Sequence, residues 1–400
     1  MEIRLPALTE VQQKIWDYPA RFKVIVAGRR FGKTILGGLK ATVVALRGGR
    51  AWWVAPNYKL ATEGWLRVCD LGRQVPGAEV RKKDWVWRFP SGGSVEVRSA
   101  YDPNDLRGAG LDHVTVDECA YLDEEAWTNC LRPALSDRQG SAWFIGTPGG
   151  RNWFHRLYLR GKAGEGSWKA FQYPTSANPY IPDEEIEIAE SELPRDVFRQ
   201  EYLAEFLEDQ GTVFRNIAPN MKLGEGKPEE HIGHYMVMGT DWAQKKDFTV
   251  VSVGCSDCMC EVEIARLNEI QYSAQRELIL QLHRKWSPSR IICEANAMGQ
   301  PNIEDLQEIG LPVVPFWMEA STKPSLIRNL QIALEKEEIA WIDDPVGRME
   351  LEAYTMELNP QTMRPRYSAP KGMHDDTVIA RALMARALLE PAPYELVSFV

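Results

Sequence analysis

The stretch AGRRFGKT at 27–34 lies between an apolar run, FKVIVA, and a helical pattern, TILGGLKATVVAL. A loop in that setting aims backbone N–H groups and a helix N-terminus at an anion. Lys33 then reaches β- and γ-phosphates, and the Thr34 hydroxyl suits Mg²⁺. Gly28, Arg29, Arg30, Phe31 and Gly32 form the rest of the cradle. Strict P-loop spacing asks for glycine at 27, where this chain has Ala27 with Gly28 beside it. Three further segments fit ATP with Mg²⁺. HVTVDE at 113–118 ends on Asp117, placed to hold Mg²⁺ through water, and Glu118, placed to polarise the attacking water. GTP at 146–148 offers Thr147 as a sensor of the γ-phosphate. Arg107, in DPNDLRGAG, is either an arginine finger or a surface arginine.

A second set of acids lies in the later half. Asp241 follows HYMVMGT, Glu294 follows RIIC, and Asp375 and Asp376 open a helical run in GMHDDTVIARALMARALL. Carboxylates at strand ends and at a helix start can converge on one sheet edge. Hard oxygen donors are what Mg²⁺ or Mn²⁺ prefers, and paired ions would serve phosphodiester cleavage. Asp247 is a further candidate ligand, and His374 is placed to orient one or to touch phosphate. Each acid alone also suits a turn or a helix cap. Cys255, Cys258 and Cys260 form C-x-x-C-x-C. Zinc wants four ligands, and no fourth Cys or His is close in sequence, so they read as parts of a strand and its turn.

Apolar runs at 22–27, 51–55, 95–100, 113–116 and 142–146 alternate with helical patterns, as in a mostly parallel covered sheet. PTSANPYIPD at 174–183 reads as a break before a helical stretch. From 211 onward, three consecutive strands precede alternating helix and strand, a pattern that suits a ribonuclease-H-like fold. The expected class is α/β: a P-loop ATPase domain of the RecA-like type over 1–175, a linker or small helical subdomain over 176–210, and a ribonuclease-H-like domain over 211–400. Hydrophobic residues make up 44% and charged residues 26%, enough for two cores. No run is long enough to span a membrane, the N-terminus does not read as a signal peptide, and seven scattered cysteines suit reduced thiols inside a cell. The net charge of −9 gives no general attraction to nucleic acid, so any DNA path needs local patches, for which Arg81, Lys82 and Lys83 are candidates.

Together these motifs resemble the large terminase subunit of tailed bacteriophages over nearly the whole chain. GRRFGKT, with Arg29 near the phosphates, VAPNYKLA at 54–61, LRGAGLDHVTVDE, the GTP triplet, NPYIPDEEI and FRQEYLAEFLEDQGTVF all look like segments of that family. GTDWA, CEANAMGQ and MHDDTVIARAL resemble its three nuclease motifs, and Lys323 sits in STKPSLI, a segment the family shares. The resemblance implies that Gln12 reads adenine and that Arg107 acts in trans. It further implies a ring of subunits on a portal protein, monomeric when isolated, that works with a small terminase subunit. Such a ring threads double-stranded DNA into a procapsid in the host cytoplasm and cuts concatemers. A helicase or repair translocase with an attached nuclease is the alternative, and it would require a second motor core.

Overall fold

The computed structural model describes residues 4–207, 212–242, 248–268, 271–296, 299–359 and 365–390. The chain divides into two units, Met1–Asp209 and Gln210–Val400.

The first unit runs α1 (Glu10–Asp17), β1 (Phe22–Ala27), α2 (Lys33–Leu46), β2 (Arg50–Ala55), α3 (Tyr58–Gly72), β3 (Glu79–Arg81), β4 (Val86–Arg88), β5 (Ser94–Ser99), β6 (His113–Val116), a short α4 (Arg132–Ala134), β7 (Ser141–Gly146), α5 (Trp153–Ala163), β8 (Trp168–Tyr173), α6 (Asp183–Glu192) and α7 (Arg195–Glu201). The eight strands form one sheet in the order β3-β4-β5-β2-β6-β7-β1-β8. Pairing is parallel throughout except at β3–β4 and β4–β5. Every residue of β1 is buried, which explains its unbroken apolar sequence. The indoles of Trp52, Trp53 and Trp143 are almost wholly buried in the layers on either side of the sheet.

The segment expected as a separate linker belongs to this first unit. Its proline- and asparagine-rich start does not break away from the sheet; Thr175 and Asn178 bind the loop after β1, as described below.

His113 opens β6 and is fully buried, with its ring nitrogens on the hydroxyls of Ser141 and Thr115 at 2.9 and 3.0 Å. Burial, and then the charges of Lys40 and Lys23, hold its pKa well below the usual 6.5. Below that pH the unfolded chain takes up a proton that the folded chain refuses, so stability falls on acidification. The loss is up to about 1.4 kcal/mol per pH unit. His113→Gln should therefore lose less stability than the parent between pH 7 and pH 5.5, read as the shift in urea midpoint. Equal shifts would mean that His113 is protonated inside the fold.

The second unit runs α8 (Ile217–Asn220), β9 (Met221–Leu223), β10 (Met236–Asp241), β11 (Phe248–Cys255), β12 (Cys260–Asn268), α9 (Tyr272–Trp286), β13 (Arg290–Glu294), α10 (Gly299–Glu308), β14 (Val313–Phe316), α11 (Thr322–Glu335), β15 (Trp341–Ile342), α12 (Pro345–Ala353), β16 (Thr355–Leu358), β17 (Pro365–Ser368) and α13 (Asp376–Leu389). Five strands lie in the order β12-β11-β10-β13-β14. The first three are an antiparallel meander, and β13 and β14 add in parallel. This is the order that the three-strand pattern followed by alternation suggested.

α13 is buried on nearly all sides. It lies so close to β10 that a Cβ on Gly239 would meet the Ala380 carbonyl oxygen and the Met384 nitrogen at 2.3 Å each. Only a residue without a side chain fits there. Arg381, fully buried in α13, forks onto Glu261 of β12 with bonds of 3.0, 3.2 and 2.9 Å. A buried ion pair of this kind fixes register more than it adds stability. Among the described residues, no helix is long and apolar enough to cross a membrane.

Candidate active sites

In the first unit the chemistry collects at the C-terminal ends of three neighbouring parallel strands. β1 leads into the 28–32 loop, β7 into Thr147, and β6 into Asp117 and Glu118. Sheet order thus places side by side three segments that are far apart in the sequence.

The loop is held at both ends. Gly32 caps α2 with φ +94°, and Lys33 begins the helix. The Lys33 ammonium donates to the Ala27 and Gly28 carbonyls at 2.6 and 3.0 Å. Burial lowers its pKa, against the pull of Glu118 and Asp117. Phe31 turns its ring into the core and stacks on Tyr173 at 5.5 Å, so only its backbone is left for a ligand. Thr34 is half-buried at the start of α2, and Arg30 is exposed with φ +63°.

Residues from 175 to 202 clasp this loop. Thr175 Oγ1 donates to the Arg29 carbonyl at 2.8 Å, and Asn178 Nδ2 to that of Arg30 at 2.6 Å. A Cβ on Gly28 would strike Thr175 Oγ1 and the Tyr202 carbonyl at 2.5 Å, which explains the glycine at 28. Arg29 Nε pairs with Glu201 at 2.5 Å and feels the charge of Glu118.

Gln12 reaches the same loop by a different contact from the adenine reading expected of it. Its Nε2 donates to the Phe31 carbonyl at 2.8 Å, and its Oε1 accepts from Thr9 N at 3.0 Å in a capping box. It is a strut between α1 and the loop.

Asp117 is buried, and burial followed by the charge of Glu118 raises its pKa well above the usual range. Glu118 is half-buried in the left-handed region at φ +47°, a strained conformation typical of functional positions. Its carboxyl is raised by burial and drawn back by Lys33. Thr147 is buried. Arg107 is exposed in the connection before β6 and contributes nothing to the loop of its own chain.

In the second unit Asp241 ends β10 and Glu294 ends the adjacent parallel β13. Asp375 and Asp376 start α13, which the Gly239 contact and Arg381 hold against the sheet. All four carboxyls converge. Asp241 is raised well above the usual range, first by burial, then by a hydrogen bond and charge from Glu294, then by Asp376 and Asp375. Asp376 Oδ2 accepts from Phe248 N at 3.1 Å, and His374 Nδ1 lies 3.8 Å from it. Lys323 Nζ is 3.4 Å from Asp375 Oδ2. Clustered hard oxygens that repel one another inside the protein fit a divalent cation. Asp247 lies outside the described residues. Arg81, Lys82 and Lys83 are exposed in the first unit, on β3 and the turn after it.

A family model described as terminase large subunit, T4likevirus-type, N-terminal, matches residues 24–220. The terminase large subunit of Thermus virus P23-45 is 28% identical over 436 aligned positions, spanning 93% of this chain and 86% of its own. The chain belongs to the terminase large subunit family. The terminase large subunit of Escherichia phage T5 is 30% identical over 200 positions, 48% of this chain and 46% of that one. The solved large terminase of another thermophilic bacteriophage shares the fold, with a TM-score of 0.53 at 14% identity, over 96% of this chain and 100% of that chain.

Several residues around these terminase sites escaped the sequence reading. Glu201 is the partner of Arg29, 172 positions away. Tyr354 is buried beside Asp375 and Asp241, which together with burial push its phenol up. Glu350, 2% exposed, accepts from Thr377 N at 3.0 Å and pairs with Arg266 at 3.1 Å, which secures the start of α13. The cysteine cluster was read too narrowly. His231 and His234 come to Cys255 and Cys258 from more than 20 residues upstream. The available signal was H-x-x-H followed by C-x-x-C.

Proposed function

We propose that this viral DNA-packaging ATPase and nuclease hydrolyses ATP at the edge formed by β1, β7 and β6, and cleaves DNA at the carboxylate cluster of its second unit. The observation that carries the reading is the convergence of Asp241, Glu294, Asp375 and Asp376 in a chain that also presents a P-loop beside Asp117 and Glu118. The helicase alternative needed a second motor core, whereas the second unit is a five-stranded mixed sheet.

In the ATPase, Lys33 exchanges its carbonyl partners for β- and γ-phosphate oxygens. The N–H groups at the start of α2 face the same oxygens. Thr34 and Asp117 would hold Mg²⁺, which neutralises phosphate charge when bound. Glu118 orients the attacking water and accepts its proton. Arg29 lies within the electrostatic reach of Glu118, and Thr147 sits between the two acids and the loop to register the γ-phosphate. In the nuclease, the four acids would hold Mg²⁺ or Mn²⁺, which supplies charge for the attacking water and the leaving 3′ oxygen. Lys323 faces the same cluster and suits a phosphate oxygen. His374 and Phe248 N steady Asp376.

Double-stranded DNA is the substrate of both units in this reading. A portal protein and a small terminase subunit are the proposed partners, and a homo-oligomeric ring on the portal is the working form. The exposed Arg107 then serves the neighbouring subunit. Arg107→Ala and Lys33→Ala should each be inactive alone, with a loss of about 10³-fold or more for the arginine. Mixed under packaging conditions, they should recover activity, because about one site in four pairs an intact loop with an intact Arg107. No recovery would mean that Arg107 is not a trans-acting finger.

A further inference from the structure

A second cluster of metal-binding side chains lies far from the carboxylates. β11 ends on Cys255, β12 begins at Cys260, and the turn between them carries Cys258. A 3₁₀ turn, Pro228–His231, and then His234 precede β10. Antiparallel pairing sets Met236 opposite Cys255, so the segment entering β10 must lie against the tip of the hairpin. Two backbone bonds fasten it there. Ser256 N donates to the Tyr235 carbonyl at 2.8 Å, and Tyr235 N donates to Asp257 Oδ2 at 2.7 Å.

One ligand atom each from His231, His234, Cys255 and Cys258 lies within 4.8 Å of all the others. His234 Nδ1 is 3.4 Å from both Cys255 Sγ and Cys258 Sγ, and His231 Nδ1 is 3.7 Å from Cys258 Sγ. A tetrahedral zinc ion, with Zn–S near 2.3 Å and Zn–N near 2.0 Å, sets sulfur and nitrogen about 3.5 Å apart. The three separations bracket that edge length. Two sulfurs and two imidazoles are also a donor set that favours zinc over Mg²⁺ or Mn²⁺. We propose that His231, His234, Cys255 and Cys258 bind one structural zinc ion.

On binding, the two thiols release their protons to solvent, and two thiolates with two neutral imidazoles leave the site uncharged. The ion clips the entry of β10 to the β11–β12 hairpin. It lies at the opposite end of β10 from Asp241, roughly 17 Å away along a six-residue strand. It is therefore a site separate from the nuclease cluster, and it does not depend on the nuclease reading.

The test is metal analysis of the full chain, purified with a non-thiol reductant and treated briefly with EDTA to strip ions held by carboxylates. The parent should keep about one zinc per chain. Cys258 is exposed, so Cys258→Ser should leave the hairpin packed and lose the zinc, and His234→Asn should lose it too. Cys260→Ser, outside the quartet, and Asp241→Asn, in the nuclease cluster, should both keep it. Cobalt loaded into the parent should give thiolate charge-transfer bands that Cys258→Ser lacks. A parent without zinc and without those bands overturns the proposal, as does zinc content unchanged in Cys258→Ser, or a Cys255–Cys258 disulfide in place of metal.

Discussion

Glu118→Gln should abolish ATP turnover, by about 10²–10⁴-fold, while nucleotide binding survives. Glutamine has the size and polarity of the carboxylate but cannot accept the proton of the attacking water. The position is otherwise undisturbed, since Asp117, Thr34 and Lys33 keep their places around the phosphates. The strained backbone at Glu118 also shows that the fold spends stability to aim this side chain. Phosphate release and the affinity for a fluorescent ATP analogue would be measured on the same protein. Unchanged turnover would move the base elsewhere. Lost binding would point to a role in the cradle and not in proton transfer.

Asp241→Asn should lose plasmid cleavage with Mn²⁺ by several orders of magnitude and keep its ATPase. Asp241 is buried and is pressed by the other three acids. Removing its charge takes away a central ligand, and it also relieves that repulsion. The variant should therefore melt at a higher temperature than the parent in metal-free buffer, a trade of stability against function. Adding Mn²⁺ should stabilise the parent more than the variant, since the ion binds the native parent more tightly. A variant that still cuts would mean that the cleavage comes from other residues. A variant that melts lower would mean that Asp241 is structural.

Features carried by neighbouring residues were legible in the sequence. Strand, loop and helix around Lys33 are contiguous, and so are β6 and its two acids. The three-strand meander announced itself by its short turns. Features made by distant chain were not. β8, WKAFQY, was missed because it lies at the sheet edge and is only partly buried, so no apolar run marks it. The same holds for the three-residue β3 and β4. The stretch from 174 to 183 looked like a break because prolines and asparagines compose it. Its grip on the loop uses carbonyls at Arg29 and Arg30, which leave no trace in side-chain type. Of the loop residues, Phe31 and Gln12 were given ligand roles by position, and packing assigned them to the core and to the strut. The histidine pair went unconnected to the cysteines because only the β10–β11 register brings them together.

The bare backbone contact at Gly239 bears on how this protein can diverge. Main chain meets main chain there, so the distance from β10 to the start of α13 does not depend on the size of any side chain between them. Apolar residues farther along the helix, such as Leu388, can be exchanged for others of similar bulk without respacing Asp241 and Asp376. Lineages can thus rewrite most of this core and still inherit the same cutting chemistry, provided that one position never acquires a methyl group.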